Sequence, residues 1–174
     1  KNEQLREGDI PVFEPGLEDL VRSNRDSGRL SFTTEFAGPI ADADVVFIAV
    51  GTPSRRGDGH ADLSYVYDAA RTVAALLQGY TVIVTKSTVP VGTGDEVKRL
   101  MRDANPEADF SVVSNPEFLR EGAAIYDFRR PDRVVIGTED PRAIRIMEDV
   151  YSPLSLNEPP LMFTDRRTAE LIKY

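Results

Sequence analysis

The chain has 174 residues, 41% of them hydrophobic and 8% aromatic, enough for one domain of ordinary size or one domain plus the first element of another. Lys+Arg 21 against Asp+Glu 29 leaves a net charge of -8, which disfavours nucleic acid and anionic membranes as partners; a nucleotide would have to be held by local N–H groups and individual cations. With no cysteine and one histidine, His60, these residues exclude an internal disulfide, a thiolate metal site, a cysteine nucleophile and a histidine-pair zinc site, and no metal is expected.

Lys1 to Gly8 reads as the end of a helix broken by Gly8. Glu14-Pro15-Gly16 opens a helix to about Ser23, with Leu17, Leu20 and Val21 on one face. Leu30 to Thr33 fits a short strand. Asp44 to Val50 is a continuous apolar run ended by Gly51-Thr52-Pro53 and reads as a buried parallel strand. The polar loop from Arg55 to His60 is expected to face solvent and to be mobile. Leu63 to Leu77 is helical, with Val66, Ala70, Val73, Ala74 and Leu77 as its apolar stripe and Gly79 as its stop. Tyr80 to Lys86 is the next strand. Thr93 is placed to cap the helix that runs to about Ala104, with Glu96 completing a capping box. Phe110 to Ser114 and Arg133 to Gly137 are strands. Asp140 and Pro141 cap and open a helix to about Tyr151. Leu161 to Phe163 is a last short strand, after which Thr164 or Asp165 starts a helix still running at Tyr174.

Strands alternating with helices predict an α/β fold with a parallel sheet and helices on both faces, a rhythm that a flavodoxin-like open sheet shares. Both chain ends fall within helical pattern, as expected of a window from a longer protein. A glycine-rich dinucleotide fingerprint follows a first strand, and none is present after Lys1. The sheet is therefore expected to be an incomplete Rossmann-like one. No apolar run approaches a membrane span and no signal peptide pattern opens the chain, so the cytoplasm is the expected location.

Three strand ends carry polar groups, and open sheets place ligands at such ends. Gly51-Thr52-Pro53 offers close backbone approach and a hydroxyl to a phosphate or ribose, although an ordinary turn has the same composition. Lys86-Ser87-Thr88 presents a cation and two hydroxyls ahead of a helix N-terminus; the hydroxyls equally suit local backbone groups. Asn115-Pro116-Glu117 follows, and Glu117 and Glu121 would share a face if their segment is helical. A carboxylate near a hydroxyl such as that of Thr88 can hold a water for attack or accept a proton. Arg120 reads as a solvated ion-pair partner. Arg129, Arg130 and Arg133 around Pro131-Asp132 read as organisers of a surface turn, with phosphate contact as a weaker option.

The chain resembles the UDP-glucose/GDP-mannose dehydrogenase family over essentially its whole length. The resemblance runs from Gly8-Asp9-Ile10-Pro11-Val12-Phe13-Glu14-Pro15-Gly16-Leu17 through Val50-Gly51-Thr52-Pro53, Asp62-Leu63-Ser64-Tyr65-Val66 and Pro131 to Gly137, to Ala169-Glu170-Leu171-Ile172-Lys173-Tyr174. The blocks Lys86 to Thr93 and Asn115 to Gly122, in that order, are its most specific part.

The resemblance implies an enzyme that oxidises the C6 hydroxyl of a nucleotide sugar to a carboxylate, using two NAD+ and a cysteine-bound intermediate. Val50, Gly51, Thr52, Pro53, Ser54, Ser87, Thr88, Val89 and Glu121 would contact NAD. Glu117, Phe118, Leu119, Arg120, Glu121 and Lys173 would bind the sugar nucleotide. Thr88 and Glu117 would hold the hydrolytic water, and Lys173 would stabilise the oxyanion at C6. Residues 1–164 would form a partial NAD-binding domain and residues 165–174 the start of the helix leading to a central or C-terminal domain. On the same resemblance, the phosphate loop and ribose-binding acid lie before Lys1, and the cysteine, its aspartate and the asparagine one turn after Lys173 lie beyond Tyr174. A homodimer through that further region, and inactivity of these residues alone, are implied. The Lys86 to Thr93 wording leans toward UDP-glucose, with UDP-glucuronate as product; GDP-mannose and a UDP-N-acetylhexosamine are the competing substrates. A non-catalytic nucleotide-binding or oligomerisation module is the alternative of a different class.

Overall fold

A computed structural model describes residues 5, 10–55, 57, 60–157 and 161–173. Its elements are α1 (Leu17–Asp26), α2 (Ala37–Ala41), β1 (Val45–Ile48), α3 (Ser64–Leu76), β2 (Thr81–Thr85), α4 (Thr93–Ala104), β3 (Phe110–Ser114), α5 (Ala124–Arg129), β4 (Val134–Gly137), α6 (Pro141–Tyr151), a short 3-10 helix (Ser152–Asn157), β5 (Leu161–Thr164) and α7 (Arg166–Lys173). The helix end read at Lys1 to Gly8 lies, Leu5 apart, outside the described residues, as does Tyr174. The chain divides into two units, Lys1–Phe36 with Phe118–Pro131 and Ala37–Glu117 with Asp132–Tyr174.

In the larger unit the described strands form one sheet in the order β1-β2-β3-β4-β5. Every residue of β2 and β3 is buried, as strands covered on both faces must be. Alternation then sorts the side chains. Ile83, Phe110 and Val112 pack with Val66, Ala70, Val97 and Met101 of α3 and α4, while Val82, Val84 and Val113 pack with Ala143, Met147 and Tyr151 of α6. The predicted α3 stripe is buried at all five positions. This is the expected α/β sheet with helices on both faces.

The sheet is mostly rather than wholly parallel. β1, β2 and β3 run together and β4 and β5 run together, but β4 is antiparallel to β3 through the single pair Ser114 and Gly137. The chain leaves the sheet after β3 and re-enters it at the same end, so β4 has to run back. Beyond that pair, the Asn115 side-chain amide donates to the Val135 carbonyl at 2.7 Å and extends the join.

Three local expectations are corrected. Leu30 to Thr33 is not a strand. β1 is parallel, but it pairs with β2 alone among the described strands; Phe47 is 42% exposed and only Ile48 is buried. Thr93 and Glu96 form no capping box: the helix is preceded by Gly92 at φ 94, the Thr93 hydroxyl donates to the Pro90 carbonyl at 2.6 Å, and Glu96 pairs with Arg99. The loop after Pro53 faces solvent where described, as expected, and its two sides are joined, Arg55 N–H donating to the His60 carbonyl at 2.7 Å and Asp62 N–H to the Pro53 carbonyl at 2.8 Å. Asp140 and Pro141 open α6 as read, the Asp140 carboxylate accepting from the Arg142 N–H at 2.8 Å. Asp165 does the same for α7, accepting from Thr168 N–H at 2.9 Å.

In the smaller unit, α1 begins after Gly16, whose φ of 81 reverses the chain, and ends at Asp26. The Glu14 carboxylate accepts from the N–H groups of Gly122 at 2.9 Å and Ala124 at 2.8 Å.

Candidate active site

The loops after β1 and β2 are stitched together by their own hydroxyls. Ser87 donates to the Val50 carbonyl at 2.6 Å, and Thr52 donates to the Thr88 carbonyl at 3.1 Å. These two protons are therefore engaged within the protein, and a ligand would meet the oxygens or the backbone. Gly51 is exposed, and a Cβ there would meet nothing within 4 Å, so a ligand can approach that strand end at backbone distance. Pro53 and Ser54 are exposed, and Val89 is buried.

Lys86 turns inward at the end of β2. Its ammonium donates to Asn115 Oδ1 at 3.2 Å and to the Tyr151 hydroxyl at 3.3 Å. Tyr151 in turn donates to Asn115 Oδ1, and Asn115 is fully buried. Burial pushes Lys86 down to about 8 despite the opposing charge of Glu117, and burial pushes the Tyr151 phenol up to about 12. This cluster joins β2, β3, β4 and α6 behind the strand ends.

In front of it, Thr85, Thr88, Ser114, Pro116, Glu170 and Lys173 line a small cavity of about 10 Å³. That volume is close to the minimum that admits one water. The buried Thr85 hydroxyl oxygen has no protein partner, and a water in this cavity would supply one. Lys173 Nζ stands 3.4 Å from Glu117 Oε2, an ion pair between two half-buried groups. The same Glu117 oxygen is buried without a hydrogen bond of good geometry, so the pair is held by charge rather than by a directed bond.

The larger unit thus gathers Thr88, Glu117 and Lys173, which lie 29 to 85 positions apart in the sequence. Phe118, Leu119, Arg120 and Glu121 belong to the smaller unit, where all four are exposed. Glu117 and Glu121 do not share a helical face: no helix spans them, and α5 begins only at Ala124. Arg120 is an exposed ion-pair partner, as expected, bonding the Asp127 carboxylate at 2.7 Å and holding that acid down to about 2.

Three buried polar residues have roles that the sequence does not assign to them. Asn115 and Tyr151 form the hub around Lys86. Glu170, 3% exposed, accepts from Gly92 N–H at 2.6 Å and Gly94 N–H at 2.7 Å and so caps α4 from α7. A signal was present: Gly92 and Gly94 flank Thr93 with no acid at the N-cap, which leaves early N–H groups in need of an acceptor.

A mostly parallel α/β sheet with an open glycine at a strand's C-terminal end is an architecture that dinucleotide-binding oxidoreductase domains use. A family model, described as the NAD binding domain of the UDP-glucose/GDP-mannose dehydrogenase family, matches residues 1–155, and the chain belongs to that family. Its cofactor is accordingly NAD, and the family is one of nucleotide-sugar oxidoreductases. A UDP-glucose 6-dehydrogenase from Rhizobium meliloti is 69% identical over 172 residues, covering 98% of this chain and 39% of the relative. A UDP-glucose dehydrogenase structure from Pyrobaculum islandicum superposes with a TM-score of 0.92 at 45% identity, covering 99% of this chain and 40% of that one. A ternary complex of GDP-mannose dehydrogenase from Pseudomonas aeruginosa gives a TM-score of 0.93 at 38% identity, covering 100% of this chain and 41% of that one. The chain therefore spans about two fifths of the length of the relatives it matches.

Proposed function

We propose that these residues form the cofactor-side half of a UDP-glucose 6-dehydrogenase, which oxidises the C6 hydroxyl of UDP-glucose to the carboxylate of UDP-glucuronate with two NAD+. The observation that carries this reading is the water-sized cavity shared by Thr88 and Lys173, with Glu117 paired to Lys173 at 3.4 Å. An alcohol-to-acid oxidation needs a positioned water, a proton acceptor and a cation near the developing oxyanion, and these three side chains supply them.

NAD, held along Val50 to Ser54 and Ser87 to Val89, supplies the oxidising power. Thr88 and Glu117 orient the water that ends the reaction, and Glu117 takes its proton. Lys173 balances the Glu117 charge at rest and turns its ammonium to the C6 oxygen as negative charge gathers there. A compact ammonium in a half-buried position suits that work, since low polarity around it strengthens its field. Phe118, Leu119, Arg120 and Glu121 are assigned to the sugar nucleotide, with Glu121 also near the cofactor, on the family resemblance of their motif. The nucleophile that retains the intermediate comes from outside these residues, so residues 1–174 alone are expected to be inactive. The 69% identity to the Rhizobium enzyme favours UDP-glucose over GDP-mannose or a UDP-N-acetylhexosamine.

Among the described residues no helix is long and apolar enough to cross a membrane; a cytoplasmic location and a homodimer are proposed for the whole enzyme on the family resemblance. The test is NADH release by the full-length natural protein given NAD+ and each of the three sugar nucleotides in turn. UDP-glucose should be the best substrate and should yield two NADH per molecule. Thr88→Val and Glu117→Gln should each lower kcat by about a hundredfold, within the range for removing a positioned acid–base group. A preference for another sugar nucleotide, or wild-type rates in both variants, defeats the reading.

A further inference from the structure

We propose that Glu170 is a positioning residue that fixes Lys173 on α7 relative to the Thr88 loop ahead of α4. The inference rests on the function proposed above for Thr88 and Lys173, but its structural basis is separate.

Glu170 is 3% exposed, a costly place for a carboxylate unless it is well bonded. One oxygen accepts from Gly92 N–H at 2.6 Å. The other accepts from Gly94 N–H at 2.7 Å and from the Ser114 hydroxyl at 3.2 Å. No side chain of the α4 N-cap bonds into its first turn, so this acid from 76 residues away takes the capping role. A local cap is not open to this turn, because Gly92 stands at φ 94, a backbone that a capping serine or aspartate adopts only with strain. The remote carboxylate does something a local cap does not: it ties α4 to α7.

What it ties is chemically specific. Lys173 lies three residues after Glu170, the spacing at which side chains on a helix are neighbours. Thr88 lies four residues before Gly92 and is joined to it through Pro90, which restricts the intervening backbone. Thr88, Ser114, Glu170 and Lys173 all line the one small cavity. Rotation of α7 away from α4 would therefore move the Lys173 ammonium from both Thr88 and Glu117. A second clamp supports the same junction: Asp95 accepts from Arg166 and from Arg167, the latter at 2.7 Å. The fit is tight on the other side as well, since a Cβ on Gly94 would sit 3.0 Å from Glu170 Oε1 and 3.1 Å from Ser114 Oγ.

The test uses the full-length natural protein carrying Glu170→Gln, Gly94→Ala or Ser114→Ala. Two readouts are taken: kcat and KM per folded enzyme, and the rate at which acetic anhydride labels Lys173, followed by mass spectrometry. Glu170→Gln and Gly94→Ala should each lower kcat by about tenfold or more while KM for NAD and for the sugar nucleotide moves less than about threefold, as expected of sub-ångström misplacement. Lys173 labelling should change by about threefold or more, and the double variant should be no worse than the poorer single one, because both changes break one contact. Ser114→Ala removes only the longest of the three bonds and should show the same pattern more weakly. Should Glu170→Gln fail to fold, the other two variants decide by the same readouts. A kcat loss that merely tracks the loss of folded protein, or unchanged Lys173 labelling in folded variants, overturns the proposal. If the wild-type protein turns over no sugar nucleotide, the proposed function falls, while Lys173 labelling still decides whether Glu170 positions that lysine.

Discussion

Replacing Lys86 by methionine should make the protein more stable at neutral pH and remove a specific pH dependence. The methionine side chain is unbranched and of similar length, so it can fill the same slot without charge. The bond from Tyr151 to Asn115 does not involve Lys86 and should survive. In the unfolded chain the ammonium titrates near 10.5, whereas burial lowers it to about 8 in the folded protein. Below pH 8 both states hold the proton, and the folded state bears the whole desolvation cost, about 3 kcal/mol for that displacement. Between 8 and 10.5 the unfolded state keeps a proton that the folded state has released, so stability rises with pH in that window. Integrated between about pH 7 and about pH 10, the gain is about 2.5 kcal/mol. Urea unfolding of wild type and Lys86→Met across that range provides the assay. Their difference cancels the other lysines and the tyrosines, which titrate in both. The variant should lead near pH 7, and the gap should shrink steadily toward pH 10. A gap constant to within about 0.5 kcal/mol across the range would show that the buried ammonium carries no such cost.

Gly137→Ala puts a Cβ 2.6 Å from Ala169 Cβ, 2.9 Å from Arg166 Cα and 3.0 Å from the Asp165 carbonyl, so backbone must move; a loss of about 1–3 kcal/mol in urea unfolding is expected. A loss below about 0.5 kcal/mol would mean that α7 does not press on β4 this closely. Asp127→Asn tests the Arg120 pair through acid. The folded carboxylate titrates near 2 rather than 3.8, so its contribution is fully present above 3.8 and disappears as pH falls through 2. Acid titration should find wild type ahead of the variant at neutral pH and level with it at the low end; a gap unchanged by acid contradicts the pairing.

The sequence carried the alternation of the fold because the interior is built from local signals. The Val66-Ala70-Val73-Ala74-Leu77 stripe, the apolar runs of β2 and β3, and the Asp140-Pro141 cap each depend on residues within a turn or two of one another. What could not be read locally depended on partners far along the chain. Val134 to Gly137 has the same composition whichever way it runs, and its direction is decided by where the chain re-enters the sheet. The apolar run Val45 to Ile48 does not say that β1 has only β2 beside it in the described sheet. Thr93 and Glu96 match a capping box, yet the left-handed backbone at Gly92 and the remote Glu170 carboxylate outcompete it.

The same distinction divides the polar residues at the strand ends, which composition alone leaves between scaffold and chemistry. Ser87 and Thr52 donate to backbone carbonyls across the two loops, and Asn115 bonds Lys86, Tyr151 and the Val135 carbonyl from a fully buried position. Removing Asn115 would leave buried partners unsatisfied, at a cost of about 1–3 kcal/mol, and removing Ser87 or Thr52 would free a partly buried carbonyl, so all three have a role in the fold whether or not a ligand ever binds. Thr88, Glu117 and Lys173 differ. Two of them line a cavity of water size, and the third meets Lys173 as a charge pair without a directed hydrogen bond. A half-buried ion pair of that kind adds little to stability, because desolvation offsets most of the attraction. The fold therefore supplies no sufficient reason for placing these three side chains together, and the proposed oxidation does.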